Sequence, residues 1–567
     1  MYIGIDVGGT CTDSVLMEKG LVKNWVKVPT KTDLLATLLE ALDGVLQWTP
    51  PDMITRVALS TTMITNLIVE KKYDPVGLIL IPGPGLKLDY YLHYSSNTQI
   101  ISGVIDYRGR EIVPLDLVEV DKAISALAAD GYQKVAVIGK FSCRNNCQEL
   151  QIAEIIRSRY SNWQVELGHK AAGQLNYPRR IVSTLLTCAT REKYQFFLES
   201  VQQALKQRQI NCPVYILKAD GGTLPLQQSK SRPIETIFSG PAASTLGVQA
   251  LLPPGETAGA VDIGGTTSEL ALIISGKPLL DSKGAKVNDW PTQVRALAVK
   301  SVPVGGDSLV GRAGQEIIIY SYRKGSPCCL GGTSPTPTDA LRILGLSRIG
   351  NYDLAWKALQ ELGQPLNLNP VEVAFKIINK VTVLIAREID LMYKQWEQHP
   401  VYRVWEVLQK RKIRPPFIVG VGGGAAGFIT AIAAQIGSSP VIPPYARIAN
   451  AIGAALARPT LQVTMRADTQ QRIYSILEEG YQDKLEEGYF DEVAALKLTR
   501  EWLDERCRLS GLEMTDELGE PEIIRKEVFN IVRDWSTVGR LYDIIMQTQR
   551  GILHYVGTGD EKNDQKQ

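Results

Sequence analysis

Apolar positions in this chain fall into two alternating patterns, short runs of strand length and stretches with helical spacing. Residues 1–30 carry three short apolar runs and predict the start of a strand meander. Over residues 33–47, Leu34, Leu35, Leu38, Leu39, Leu42 and Leu46 share one helical face. A strand at 56–60, a helix at 64–71 and a strand at 76–81 follow, the last broken by Pro82-Gly83-Pro84-Gly85. The spacing then predicts a helix over 121–129, a strand over 134–141 and a helix over 148–159. A long helix over 180–208 precedes a strand over 214–219 that ends at Asp220-Gly221-Gly222. Further on come a strand at 259–262, a helix at 370–395, a strand at 416–421 and an apolar helix at 449–457. Strands alternating with helices imply a layered α/β fold. From about residue 460 charged amphipathic helices are predicted instead, at 469–485 and 491–510, and 522–556 mixes both signals. The polar last dozen residues are expected to be disordered. The pattern divides the chain at 1–175, 176–460 and 461–567, the last region mainly helical.

One strand-turn-strand unit is written twice. The first copy reads Tyr2-Ile-Gly-Ile-Asp6-Val-Gly8-Gly9-Thr10-Cys-Thr12-Asp13, the second Gly259-Ala-Val-Asp262-Ile-Gly264-Gly265-Thr266-Thr267-Ser268-Glu269. Paired glycines let main-chain N–H groups converge on one point, a concave nest that binds phosphate oxygens. Thr10, Thr12, Thr266 and Thr267 add hydroxyl groups. Asp6 and Asp262 stand where each strand meets its turn, suited to a hard cation such as Mg²⁺, directly or through water. A single copy reads equally well as an ordinary Gly-Gly hairpin; agreement at Asp, both glycines, Thr and the following acid favours a nucleotide clamp. No Gly-Lys-Ser/Thr follows the glycines, so this is no Walker loop, and no helix opens after them as a Rossmann turn requires.

Composition narrows the class. A length of 567 residues predicts two to four domains, and a net charge of +2 argues against a general nucleic-acid binder. No apolar run reaches the roughly 18 residues of a membrane span, and the N-terminus opens directly into a strand, so a soluble cytoplasmic protein is expected. Eight cysteines in so long a chain form no disulfide framework. Cys143/Cys147 and Cys328/Cys329 are redox or metal candidates, though neither pair has a nearby Cys or His to complete a zinc set. The four histidines, His93, His169, His399 and His554, form no metal-like pair.

A third glycine site follows in chain order. The strand ending at Val421 runs into Gly422-Gly423-Gly424 and then a helix, where small residues let an adenosine lie against the backbone. These three sites in this order resemble the actin, sugar kinase and heat-shock chaperone ATPase superfamily. The chain more narrowly resembles the ATP-dependent hydantoinase/oxoprolinase family, A-subunit type. The segments that carry this resemblance, from residue 1 to about 460, are Thr61-Thr62 with Thr65-Asn66, Ile101-Ser-Gly-Val-Ile-Asp106, Gly109-Arg-Glu-Ile-Val-Pro-Leu-Asp116, Asp220-Gly-Gly, Ser239-Gly-Pro-Ala242, Pro337-Thr-Asp339-Ala and Asn450-Ala-Ile-Gly453-Ala-Ala.

The resemblance implies two ribonuclease-H-like lobes with ATP·Mg²⁺ in the cleft between them. It implies phosphorylation of the oxygen of an amide, lactam or related carbonyl, followed by hydrolysis or attack on the activated species. Gly8, Gly9, Thr10 and Thr12 would face one side of the phosphates, and Gly264, Gly265, Thr266 and Thr267 the other. Asp6 and Asp262 would hold Mg²⁺ or orient the attacking oxygen, and Gly422–Gly424 would face the adenosine. Asp13 and Glu269 either join the site or hold the turns, and Asp339 either joins it or caps a helix. Where the family usually has histidines, this chain has Ser60 before the Thr-Thr segment and Phe428 or its neighbours after the third turn. Cys11 replaces a common aromatic and Glu269 the usual Asp, and the block Ser301-Val-Pro-Val-Gly305-Gly306-Asp307-Ser308 is also altered. The β-rich C-terminal part of longer members is expected to be replaced by the helical tail. An ATP-dependent hydrolase working with a separate B-type subunit is the first expectation. An ATPase that reactivates or remodels a partner enzyme, and a small-molecule kinase, are the alternatives.

Overall fold

The computed structural model describes residues 1–87, 89, 92–171, 174–398, 414–486, 488–512 and 517–557. His399 and nearly all of the polar C-terminal dozen lie outside the described residues. Two sheets of the same topology form the frame. In the first, β1 (Tyr2–Val7), β2 (Cys11–Glu18) and β3 (Leu21–Pro29) are an antiparallel meander; β4 (Arg56–Thr61) lies parallel to β1, and the strand Val214–Leu217 parallel to β4. In the second, Ala258–Ile263, Ser268–Ile274 and Lys277–Pro278 repeat the meander, and Phe417–Val421 and Ser439–Val441 add the two parallel strands. Three antiparallel strands followed by two parallel ones on the far side of the first is the order expected of two ribonuclease-H-like lobes.

This topology corrects the domain boundaries read from the sequence. A division at 175/176 cuts the first lobe, because Val214–Leu217 and Thr223–Pro225 return to the first sheet. The intervening chain builds a separate parallel sheet, ordered Gln164–Leu167, Lys134–Gly139, Gly77–Ile81, Thr98–Ile100, inserted between β4 and its parallel neighbour. Its central strands are near-continuous apolar runs, as a parallel sheet covered on both faces requires. The 31-residue helix Tyr177–Gln207 leads back from this insertion to the first lobe.

The region after 460 is corrected as well: it is mainly a sheet, and its β-rich character is present rather than lost. Five antiparallel strands run in the order Tyr481–Lys484, Ile473–Ile476, Gln462–Asp468, Ser536–Gln547, Glu522–Arg533. The helix expected over 469–485 is a strand pair, whose turn uses Gly480 at φ +60°. The helix expected over 491–510 is present as Glu492–Leu509, with Asp491 accepting from the Ala494 amide at its N-terminus. The mixed signals over 522–556 resolve into two 12-residue strands joined at Asp534-Trp535, both at positive φ, the geometry of a primed hairpin turn. Val463, Met465 and Ile544 pack into one core with Ile3, Ile5 and Leu185, so the C-terminal sheet is built onto the first lobe.

Helices Ser239–Leu251 and Ala449–Leu456 pack against each other at very close range. A Cβ on Gly247 would overlap the Ala449 carbonyl, and one on Gly453 the Ala243 carbonyl oxygen. A Cβ on Gly4 in β1 would likewise overlap the Ala451 oxygen. The family-like segment Asn450-Ala-Ile-Gly453 is thereby held against β1. Among the described residues no helix is long and apolar enough to cross a membrane.

Candidate functional site

The two glycine turns have the same construction. Gly8 N–H donates to the Cys11 carbonyl at 3.1 Å, and Gly264 N–H to the Thr267 carbonyl at 3.0 Å. The strand registers pair Asp6 with Asp13 and Asp262 with Glu269, so each acid of the first copy has its counterpart in the second. Gly9, Thr10, Gly264, Gly265 and Thr267 are exposed at the turn tips, with Gly8 and Thr266 half-buried. Thr12 departs from its expected place at the phosphates. It is fully buried, its hydroxyl hydrogen-bonded to that of Thr30 at 3.0 Å, while Thr30 donates to the Gly8 carbonyl at 2.8 Å. As a β2 residue pointing inward, Thr12 braces the turn from behind.

Asp6 and Asp262 meet at one side chain from the crossing helix. Asn450 Nδ2 donates to Asp6 Oδ2 at 3.1 Å, and its amide lies near enough to Asp262 to favour that carboxylate's charged form. Ser60 Oγ donates to Asp6 Oδ1 at 2.6 Å, and Ser244 lies beside Asp262 and favours its charged form. Ser60 thus stands on the Asp6 carboxylate. Burial raises the Asp6 carboxyl above its ordinary range against the opposing bonds from Ser60 and Asn450. Burial raises Asp262 too, opposed by Ser244 and reinforced by the charge of Asp6. Two crowded carboxylates with raised affinity for positive charge are a suitable oxygen donor set for Mg²⁺, which keeps most of its coordination for water and phosphate. Among the described residues no group of three or more His, Cys, Asp or Glu side chains is disposed to hold a metal ion.

The third turn is built onto the second. Phe417–Val421 pairs with Ala258–Ile263, and Gly424 N–H donates to the Ile263 carbonyl at 3.1 Å. Gly422 sits at φ +84°, and a Cβ there would overlap the Asp262 carboxylate, so only glycine fits beside that acid. Gly423 has open space where a Cβ would stand, and the helix Ala425–Ile436 opens directly behind it. Phe428, in that helix, is fully buried in the second lobe's core. The Gly305-Gly306-Asp307 block also wraps the second turn: Gly306 N–H donates to the Gly264 carbonyl at 3.0 Å and Asp307 N–H to that of Gly265 at 2.6 Å. The Thr61 and Ser239 signatures meet as well, Ser239 Oγ donating to the Thr61 carbonyl at 2.7 Å.

The remaining acids separate by role. Asp339 is completely buried and accepts from the amides of Cys328, Cys329 and Thr336 and from the Thr336 hydroxyl. It closes a capping box at the helix Pro337–Ile343 and is structural. The same bonds account for Cys328-Cys329 as the turn that Asp339 holds. Cys143 and Cys147 are free thiols, like the other six cysteines. Glu269 accepts from Ser301 Oγ at 2.8 Å, and its carboxyl is raised by burial against that bond. Asp13 pairs with Lys27 at 2.7 Å, yet burial pushes its carboxyl up to about 6.

That shift gives a pH signature. An acid whose folded pKa lies above its unfolded one favours folding at low pH and loses that contribution as pH rises through the folded value. Asp13→Asn, which stays neutral, is expected to stabilise the ligand-free protein at pH 8 by on the order of 1 kcal/mol. Below pH 4, where Asp13 is itself protonated, no gain is expected. Thermal melting of both proteins across this range checks it; a gain of equal size at both ends would refute the assignment.

Three residues of the site escaped sequence reasoning. Asn450 stood out only within a signature, Ser244 not at all, and Asp307 only as part of an altered block. Their chemistry depends on a helix crossing and a loop wrap that no local pattern announces.

Comparison with known proteins supports this architecture. Residues 180–463 match the family model described as Hydantoinase/oxoprolinase, and residues 2–160 match its Hydantoinase/oxoprolinase N-terminal region. An uncharacterized protein of Methanocaldococcus jannaschii is 24% identical over 545 residues, covering 86% of this chain and 76% of its own. The caprolactamase subunit alpha of Pseudomonas jessenii is 24% identical over 486 residues, covering 78% of this chain and 68% of its own. The crystal structure of the ATP-dependent caprolactamase of that organism superposes with a TM-score of 0.68 at 21% identity, covering 97% of this chain and 87% of its own. A nucleotide-free structure of acetone carboxylase, from work on ATP-dependent acetone carboxylation, superposes with a TM-score of 0.73 at 15% identity, covering 98% of this chain and 88% of its own.

Proposed function

The chain belongs to the hydantoinase/oxoprolinase family, and we propose that it uses ATP to phosphorylate the oxygen of a cyclic amide or related carbonyl compound, so that the ring C–N bond can be hydrolysed. The observation that carries this reading is the convergence of Asp6 and Asp262, one acid from each lobe beside its own glycine turn, near Asn450. An unstrained amide is a poor electrophile with a poor leaving oxygen. Transfer of the γ-phosphoryl group to that oxygen supplies both missing properties. Such transfer is mostly positioning and charge neutralisation.

In this reading the Gly8-Gly9-Thr10 turn and the Gly264–Thr267 turn present N–H and hydroxyl donors to the phosphates from opposite sides. Gly423 offers its bare backbone to the adenosine. Mg²⁺, when bound, would neutralise phosphate charge beside Asp6 and Asp262. Ser60 and Asn450 hold the Asp6 carboxylate in place, and Ser244 stands beside that of Asp262. Thr12 and Asp13 support the first turn from the β2 side, and Glu269 the second.

The relative from Pseudomonas jessenii is named as a subunit alpha, and a B-type partner subunit fits the same reading here. The test is ATP turnover by the purified chain, with and without that partner, in the presence of hydantoin, 5-oxoproline or caprolactam. At least one cyclic amide is expected to stimulate ATP turnover and to be opened with matching stoichiometry. Stimulation by a partner protein but by no cyclic amide would replace this reading with that of a partner-remodelling ATPase.

A further inference from the structure

A second polar cavity lies away from the glycine turns. It encloses about 120 Å³ where the first lobe, the inserted sheet, the Gln293–Arg295 segment and the C-terminal sheet meet. Five Lys or Arg and three Asp or Glu side chains line it, so its wall is net positive.

Three features of the wall bear on what could fill the cavity. Arg295 donates to Gln547 Oε1 at 2.6 Å and to Gln462 Oε1 at 3.4 Å, both neutral. It has no ion-pair partner among the described residues; Asp220, the lining carboxylate whose charge it feels, is engaged by the Gly222 amide at 3.0 Å and by Lys218 at 3.5 Å. Gln547 is 1% exposed, yet its Nε2 donor has no partner among the described residues. A buried amide donor left unmet is costly and points to a missing acceptor. Elsewhere on the wall, His169 is held by Glu149, whose Oε2 lies 2.5 Å from Nδ1 and also accepts from the His169 amide. Glu149 is itself completely buried, and the His169 ring lines the cavity. A carboxylate on Nδ1 fixes the tautomer and leaves Nε2 free to act on whatever fills the space.

We propose that this cavity is a binding site for a small organic carboxylate, its oxygens held by Arg295 and the free amide of Gln547 and its far end meeting His169. The planar guanidinium and the neighbouring amide N–H together match a planar, two-oxygen acceptor. A dianionic phosphate fits less well, because Asp220, Glu235 and Glu478 also line the space and repel the second charge. The site uses none of the residues assigned to the nucleotide, so it stands independently of the proposed reaction. His169 is a polar contact that the nucleotide cleft does not employ, on an element that sequence reasoning set aside for lack of a metal-like partner.

The test is isothermal titration of the full-length chain with acetate, propionate and butyrate, with chloride and inorganic phosphate at matched ionic strength as controls. At least one carboxylate is expected to bind saturably. Arg295→Gln is expected to weaken it by roughly tenfold or more, whereas Arg295→Lys, which keeps the charge but not the fork, retains part of the affinity. Asp6→Asn, in the separate cleft, is expected to bind the carboxylate as the unmodified chain does. Circular dichroism melting confirms that each variant is folded. The proposal is overturned if no carboxylate binds saturably, if folded Arg295→Gln and Arg295→Lys both bind it unchanged, or if phosphate binds more tightly than every carboxylate.

Discussion

Asp6→Asn and Asp262→Asn are each expected to lower Mg²⁺-dependent ATP turnover by about a hundredfold or more, with the fold intact. The substitution keeps the shape of the side chain. An Asn oxygen at position 6 still accepts from Ser60 or Asn450. What is lost is charge. Burial already disfavours that charge at both positions, so the ligand-free variants are expected to melt no lower than the unmodified chain. The paired result, stability kept and turnover lost, distinguishes a functional acid from a structural one. Asp339 would behave in the opposite way, since its carboxylate is consumed by four donors within its own loop and helix. Turnover measured across an Mg²⁺ titration, with melting curves beside it, checks the expectation. Either variant retaining full turnover at saturating Mg²⁺ would remove that carboxylate from the site.

The parts of this site that were legible in the sequence are those fixed by local backbone demands. Gly8-Gly9 and Gly264-Gly265 announce turns because few other residues allow them, and the apolar runs on either side make each a strand pair. The strand, glycine turn and helix over 417–436 read equally well for the same reason. Other features depend on contacts between segments far apart in sequence. Val214–Leu217 belongs to the first sheet only because β4 offers it a parallel edge more than 150 residues earlier. Asn450 reaches Asp6 across 444 residues.

The C-terminal sheet was misread for a different reason. Glu522–Arg533 is exposed at eight of its 12 residues, so it lacks the alternation of a half-buried strand, and its charged residues mimic a solvated helix. Charge density in 469–485 misled in the same way, while Gly480, which makes the turn there, carried the correct signal. Thr12 shows the limit within a strand-turn-strand unit whose backbone form the sequence does announce. Alternation along β2 sends its side chain inward to Thr30, a consequence of strand period that the likeness between the two copies concealed.

Gly453→Ala is expected to destabilise the protein by about 2–3 kcal/mol and to impair ATP turnover beyond the loss of folded material. The added methyl would overlap the Ala243 backbone oxygen, and a backbone oxygen cannot rotate aside as a side chain would. Relief requires the helix Ala449–Leu456 to move away from Ser239–Leu251. On its opposite side that helix is already in contact with β1, where Gly4 lies directly against Ala451. Asn450 is one turn before Gly453 on the same helix, so any shift moves its amide relative to Asp6 and Asp262 together. Gly131→Ala separates this from the ordinary penalty for replacing glycine. Gly131 has φ +78° and nothing within 4 Å of an added Cβ, so only backbone strain of about 1 kcal/mol is expected. Denaturant unfolding of both variants, with turnover normalised to folded protein, decides the matter. If Gly453→Ala is no more damaging than Gly131→Ala, the close helix crossing does not set the distance between the two aspartates.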